Sequence, residues 1–401
     1  MAHPLSARPT FPRPVTRAVT RVRTAGFTAA AGILAACTAS KPAPAAGDSA
    51  QTAAAPMAGA TAPGAVAPGT DSAGRASTTP ATPDADMKAV LDQLASMGGK
   101  PIETLTPIQA RQQPTPAAAA GIVAAKAGKD TTPTALVPGV ASTDRTIAGA
   151  AGQIPARIYT PSGAGPFPVV VYYHGGGWVI ANKQVYDGGA RALSQAAHAV
   201  VVSIDYRLAP EHKFPAQHDD ALAAYRWALA NAASLKGDPK RVGLAGESAG
   251  GNLAVATAMG AREAKLQQPT AVLSVYPIAQ VDTTTGSYTT YATAKPLSRA
   301  MMAWFFKQTV TSPADLKDPR LDLVHANLAG LPPVTIVNAE IDPLQDDGAQ
   351  LEQALKAAHV PVERRLYRGV THEFFGMGAA VAKAKDAEQY AGGRLKAAFG
   401  G

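Results

Sequence analysis

The chain has 401 residues, of which 46% are hydrophobic, enough to bury a large core. Its formal charge of +8 would suit an acidic partner, but the surplus sits largely in the first 36 residues, where Arg8, Arg13, Arg17, Arg21 and Arg23 meet no acidic residue. The remainder has an unremarkable balance and no basic stripe interleaved with aromatics, so no nucleic-acid partner is expected.

At the N-terminus, Arg17, Arg21 and Arg23 precede "AGFTAAAGILAAC", an apolar run too short to span a bilayer. Residues 1–36 therefore read as a signal peptide. Leu34-Ala35-Ala36-Cys37 resembles the lipobox of bacterial lipoproteins, in which the cysteine is lipidated and becomes the mature N-terminus. Cys37 is the chain's one cysteine, and that resemblance implies a membrane anchor on it. The alternative is an ordinary secretory peptide followed by a stray cysteine. Thr38, in place of Asp, fits outward sorting if the host has an outer membrane. Residues 37–83 form a low-complexity Ala/Pro/Gly-rich tether with too few large apolar side chains to offset the entropy of ordering.

Order is expected from Asp84. Met87, Val90, Leu91, Leu94 and Met97 fall at helical spacing and Gly98-Gly99 closes that helix; a second, weaker one is expected over 106–127. Beyond residue 145, β-branched runs at 154–160, 168–174, 199–205, 241–246, 271–276, 333–339 and 362–368 alternate with helical segments, among them 185–197, 218–234, 250–265 and 345–359. That alternation predicts an α/β fold: a mostly parallel sheet with helices on both faces.

Gly246-Glu247-Ser248-Ala249-Gly250 is a G-x-S-x-G, weak alone. Here it follows a short apolar strand and opens a helix of small residues, the context of a nucleophile elbow. Ser248 would stand at the carboxyl edge of the sheet, and a serine hydroxyl needs a base that is itself held by an acid. His372, just past the strand "VERRLYRG", is the candidate base, whereas His359 ends a helix and reads as surface. Asp342 follows the strand 333–339 and is the candidate acid, with Glu340, Asp346 and Asp347 as competitors. The loop His174-Gly175-Gly176-Gly177 after an earlier strand suits an oxyanion hole, in which glycines turn backbone amides inward; the amide of Ala249 would complete it. His174 shapes that loop and is not expected to act as a base. No metal-ligand cluster or nucleotide fingerprint points to a cofactor.

His174-Gly175-Gly176-Gly177-Trp178, "DYRLAPEHKFP" (205–215), "GESAGGNLA" (246–254), "DPLQDDG" (342–348) and "THEFF" (371–375) together resemble the hormone-sensitive-lipase-like family of α/β-hydrolases, the bacterial HGGG-type esterases. The resemblance runs from about residue 85 to the C-terminus. It implies an α/β-hydrolase core with a central eight-stranded sheet over 84–401, under a helical cap built from about 85–130 and 283–315. It favours Asp342 as the acid. It places Met302 and Phe306, one turn apart, against the acyl pocket (core packing being the alternative), with Trp178 at its border; Asp205 and Glu211 brace loops near the site. The chain departs from the family at Glu247, commonly Asp, and at Glu373, commonly Gly.

The expected function is a serine carboxylesterase acting on short- to medium-chain esters. The alternatives are a lactonase or amidase with the same triad, or a binding protein on the hydrolase fold that has lost turnover.

Overall fold

A computed structural model of the chain describes residues 80–401. The signal peptide, the lipidation candidate Cys37 and nearly all of the tether lie outside the described residues. Eight strands, β1 (Val140–Gly149), β2 (Gly152–Pro161), β3 (Phe167–Tyr173), β4 (Val200–Ile204), β5 (Gly237–Glu247), β6 (Val272–Val275), β7 (Val334–Ile341) and β8 (Val362–Thr371), form one sheet in the order β1-β2-β4-β3-β5-β6-β7-β8. β1 and β2 pair antiparallel, as do β2 and β4; every later pairing is parallel.

The sheet is covered on both faces, because alternate residues of a strand point to opposite sides. From β3, Val169, Val171 and Tyr173 enter one core and Val170 and Tyr172 the other. The first core is closed by α6 (Ala216–Asn231), α7 (Ala249–Glu263) and α10 (Gln345–Ala357), and the second by α5 (Asp187–Ala196) and α11 (Ala382–Ala398). With both faces buried, the central strands are continuous β-branched and aromatic runs, which is why they are conspicuous in the sequence.

The N-terminal helix α1 (Ala85–Ser96) buries Met87 and Val90 in the second core and is joined to β8 where the Asp84 amide donates to the Gly369 carbonyl (2.8 Å). The single helix expected over 106–127 is two: α2 (Pro107–Ala110) and α3 (Pro116–Lys126). The break has a physical cause. Pro114 and Pro116 supply no amide donor, and the Thr115 side chain accepts from the Ala118 amide as the cap of α3. Arg111 ties this region to the core, donating to the carbonyls of Val179 and Ala209 (both 2.8 Å) and to both carboxylate oxygens of Glu211 (2.9 and 2.7 Å). Glu211 thus has the bracing position expected of it. Three further short or capping helices, α4 (Pro133–Leu136), α8 (Gly286–Thr290) and α9 (Arg299–Thr309), complete the set.

β1 and α11 are absent from the sequence expectation. β1 is an exposed edge strand that buries only Val140 and Ile147, so it lacks an apolar alternation. α11 buries mostly small side chains (Ala384, Ala387 and Ala391, with Leu395) and carries a weak hydrophobic signal. Among the described residues no helix is long and apolar enough to cross a membrane.

Candidate active site

β5 ends at Glu247 and α7 begins at Ala249, leaving Ser248 to make the whole turn from strand to helix. It does so at φ 56°, ψ −116°, a conformation that costs a non-glycine residue about 1–3 kcal/mol. The flanking glycines permit it. A Cβ on Gly250 would overlap the Tyr173 carbonyl of β3, and one on Gly246 would overlap the Gly250 carbonyl. The turn is pinned by the Ser248 amide donating to Val275 of β6 (2.9 Å) and by the Ser248 carbonyl accepting from Asn252 (3.1 Å) and Ile278 (3.3 Å).

The loops after β7 and β8 bring two more groups to this edge. His372 Nε2 lies 3.0 Å from Ser248 Oγ, and His372 Nδ1 lies 2.7 Å from Asp342 Oδ2. All three residues are buried. Asp342 Oδ1 accepts from the Leu344 amide (2.9 Å), so the carboxylate is fixed before it meets the imidazole. With Nδ1–H donated to Asp342, the tautomer leaves the Nε2 lone pair facing the serine hydroxyl. Burial alone would depress the imidazole pKa, but the charge and hydrogen bond of Asp342, helped by Glu373, outweigh it and hold it above the ordinary histidine value.

The competing residues are engaged elsewhere. Glu340 accepts from the Gly369 amide (2.8 Å), Asp346 from the Ser287 amide (2.8 Å), and buried Asp347 from the Ala279 amide (3.0 Å). His359 is exposed, as expected.

The glycine loop follows β3. Gly176 and Gly177 have φ of 91° and 57° and line the same cavity as Ser248; Gly175 packs against the Tyr186 hydroxyl and the Glu247 carbonyl. The amides of Gly176 and Gly177 donate to no protein group among the described residues. The Ala249 amide, in the first turn of α7, has no intrahelical acceptor. His174 stacks flat on Tyr206 (4.3 Å between centroids, 11° between planes), with Nδ1 2.7 Å from the Gly175 carbonyl. Burial pushes its pKa down, so it is a neutral loop-shaping group.

The cavity has a volume of about 690 Å³ and is walled by the two segments expected to form a cap: Leu91, Leu94 and Ile102 from one, Leu297, Met301 and Phe305 from the other. Three expected wall residues lie elsewhere. Met302 and Phe306 do not line it; both are buried in the first core, and the residues one position earlier, Met301 and Phe305, face the cavity. Adjacent residues on a helix point about 100° apart, so an error of one position turns the predicted face from cavity to core. Trp178 is likewise fully buried, near Phe306 and His218 (6.2 Å from each) and outside the cavity wall.

Other polar groups also stand at the site. Asp205 lines the cavity with both oxygens taken by Lys183, its amide (2.6 Å) and its Nζ (2.7 Å), which agrees with a bracing role. Glu247 is buried behind the histidine, accepting from the hydroxyls of Tyr172 and Tyr276, and the Tyr276 ring lies 4.5 Å from that of His372. Burial pushes the Glu247 carboxyl well above its usual range. Glu373 lines the cavity, takes the Tyr186 hydroxyl (2.5 Å) and adopts φ 67°. Tyr186 carries no signal in the sequence, since its role arises from two loops meeting in space.

The sequence model of a family described as having the alpha/beta hydrolase fold matches residues 170–376. Carboxylesterase NlhH of Mycobacterium tuberculosis is 41% identical over 263 residues, 64% of this chain and 82% of that protein. The ethyl acetate hydrolase of Pseudomonas putida is 34% identical over 238 residues, 58% and 75% of the two chains. Among solved structures, a hyperthermophilic esterase from the archaeon Pyrobaculum calidifontis superimposes with a TM-score of 0.71 at 32% identity, covering 79% of this chain and 98% of that one. The chain belongs to the α/β-hydrolase fold family.

The electrostatics of His372 can be checked directly. In the full chain, NMR of its imidazole should show a midpoint above about 6.5, the ordinary histidine value. In Asp342→Asn the attraction is lost and burial dominates, so the midpoint should fall below that value. An unchanged midpoint would contradict the pairing.

Proposed function

We propose that the protein is a serine carboxylesterase and that Ser248, His372 and Asp342 carry the reaction. The observation that carries this reading is the continuous line Asp342–His372–Ser248 at 2.7 and 3.0 Å, on buried groups at one edge of the sheet.

Ser248 Oγ attacks the ester carbonyl while His372 Nε2 takes its proton. Asp342 holds the imidazole in the required tautomer and stabilises the imidazolium as it forms. Charge then develops on the carbonyl oxygen. Amides of the Gly175–Gly177 loop and of Ala249 supply donors, which are worth most where water is excluded. Collapse of the tetrahedral intermediate expels the alcohol, to which His372 returns the proton. Water, activated by the same nitrogen, attacks the acyl-enzyme and frees the acid.

The preference for short- to medium-chain esters is supported by the bounded, largely aliphatic cavity, within the range of sites for small molecules. It is also supported by similarity to a relative named for ethyl acetate hydrolysis. The cellular address is part of the same reading: residues 1–36 direct export, Cys37 is lipidated, and residues 37–83 tether the hydrolase domain, with its cap over 85–130 and 283–315, to the envelope membrane. Arg17, Arg21 and Arg23 ahead of a short apolar run, and Leu34-Ala35-Ala36-Cys37 at its end, support it.

Assay of the purified protein against p-nitrophenyl esters from acetate to octanoate should show hydrolysis that Ser248→Ala reduces by at least about 10³-fold. Activity retained in that variant would overturn the mechanism; no activity from the folded wild type would shift the reading to lactones, amides or binding without turnover. For the anchor, a tagged fatty acid fed to expressing bacteria should label the wild type and not Cys37→Ser. Label that persists in the variant, or is absent from both, contradicts lipidation at Cys37.

A further inference from the structure

We propose that Glu373 is a specificity-determining residue whose carboxylate selects esters with a hydrogen-bond donor, a hydroxyl or an ammonium, on the leaving alcohol beside the ester oxygen. The inference rests on the reading of Ser248 as nucleophile and His372 as base.

Position comes first. Glu373 Oε1 lies 3.9 Å from His372 Nε2, the nitrogen that is 3.0 Å from Ser248 Oγ. This nitrogen hands a proton to the departing alcohol, whose oxygen must come within hydrogen-bond reach of it. A carboxylate beside that nitrogen and in the cavity wall therefore borders the alcohol as it leaves.

Next is what the carboxylate lacks. Oε1 takes the Tyr186 hydroxyl at 2.5 Å, and Oε2 accepts from no group among the described residues. Among the described residues no lysine or arginine lies within ion-pair distance of Glu373; the one basic group there is the His372 imidazole, neutral until it takes a proton. Burial raises the Glu373 pKa, as expected of a carboxylate short of partners. The other acidic residue of the wall, Asp205, differs in having both oxygens taken by Lys183. The cationic Arg111 is likewise committed, to Glu211 and two carbonyls. Glu373 is thus the wall carboxylate with an oxygen to spare. A donor on the substrate satisfies that oxygen, whereas an alkyl group in the same place strips it of water and returns nothing.

The backbone supplies an independent observation. Glu373 sits at φ 67°, which glycine adopts freely and a side-chain-bearing residue does not. Strain of this kind clusters at active sites, and here a residue of the cavity wall bears it. The competing assignment, that Glu373 only holds Tyr186 against Gly175, is separated by Glu373→Gln. The amide oxygen can still accept from Tyr186, and the second position then carries a donor in place of an acceptor.

The test compares kcat/KM for three butyrates that share an acyl group: propyl, 2-hydroxyethyl and 2-(dimethylammonio)ethyl, followed by pH-stat. The wild type should favour at least one donor-bearing ester over the propyl ester by about tenfold or more, the range of a hydrogen bond to a charged group. The larger ratio tells hydroxyl from ammonium. Glu373→Gln and Glu373→Gly should lower the raised ratio about tenfold, to the difference that the alcohols' own acidities impose. A wild-type ratio near one, which needs no variant to fold, overturns the inference and leaves the esterase reading standing. A preference undiminished in Glu373→Gln also overturns it. If the folded wild type hydrolyses none of the three, both readings fail.

Discussion

The left-handed turn at Ser248 is the constraint on which the rest of the site depends. One residue must convert the direction of β5 into that of α7, at φ 56° and ψ −116°. The strain is held by the sheet on either side: β6 accepts the Ser248 amide, and the carbonyl of β3 at Tyr173 leaves room only for hydrogen at Gly250. Because β3 and β5 are neighbours in parallel register, with Tyr173 opposite Gly246, the glycine loop that follows β3 is brought beside the serine that follows β5. The proposed nucleophile and oxyanion donors are therefore positioned by the same pair of strands, and a defect in either would displace both.

The second organising feature is the buried charge around His372. Asp342 touches one nitrogen and Glu373 lies near the other, with the Tyr276 ring, hydrogen-bonded to Glu247, against the imidazole. A buried imidazole resists protonation, so without these groups the base would not carry charge well during acylation. Asp342 acts at contact distance through a hydrogen bond and sets both orientation and affinity for the proton. Glu373 is farther away, at 3.9 Å, and faces the cavity, which makes it a group for the substrate more than for the histidine. The balance lets one histidine take a proton from Ser248 and release it to a leaving group.

Much of this was legible in the sequence, for physical reasons that differ by element. The central parallel strands β3 to β7 are buried along most of their length and carry apolar runs, so they stand out; β1, wetted along most of its length, does not. The elbow, the glycine loop and the two late loops are visible because strand ends impose small residues and place polar ones in a fixed chain order. The choice of Asp342 over Glu340 is a matter of which strand-end carboxylate meets the imidazole, and the residues alone left it open until the family resemblance and then the fold decided. The pocket wall is the least legible part of the site. Helical spacing gave the correct interval for Met302 and Phe306 but not the phase, and the cavity is met by Met301 and Phe305. Trp178 looked like a wall residue because it follows the glycine loop, yet its positive φ of 62° accompanies burial in the core.

The most direct test of the central claim is to trap the nucleophile in the full chain with a fluorophosphonate and locate the adduct by mass spectrometry. One adduct per chain is expected, on Ser248, lost in Ser248→Ala. An adduct on another residue, or one that survives that substitution, would contradict it.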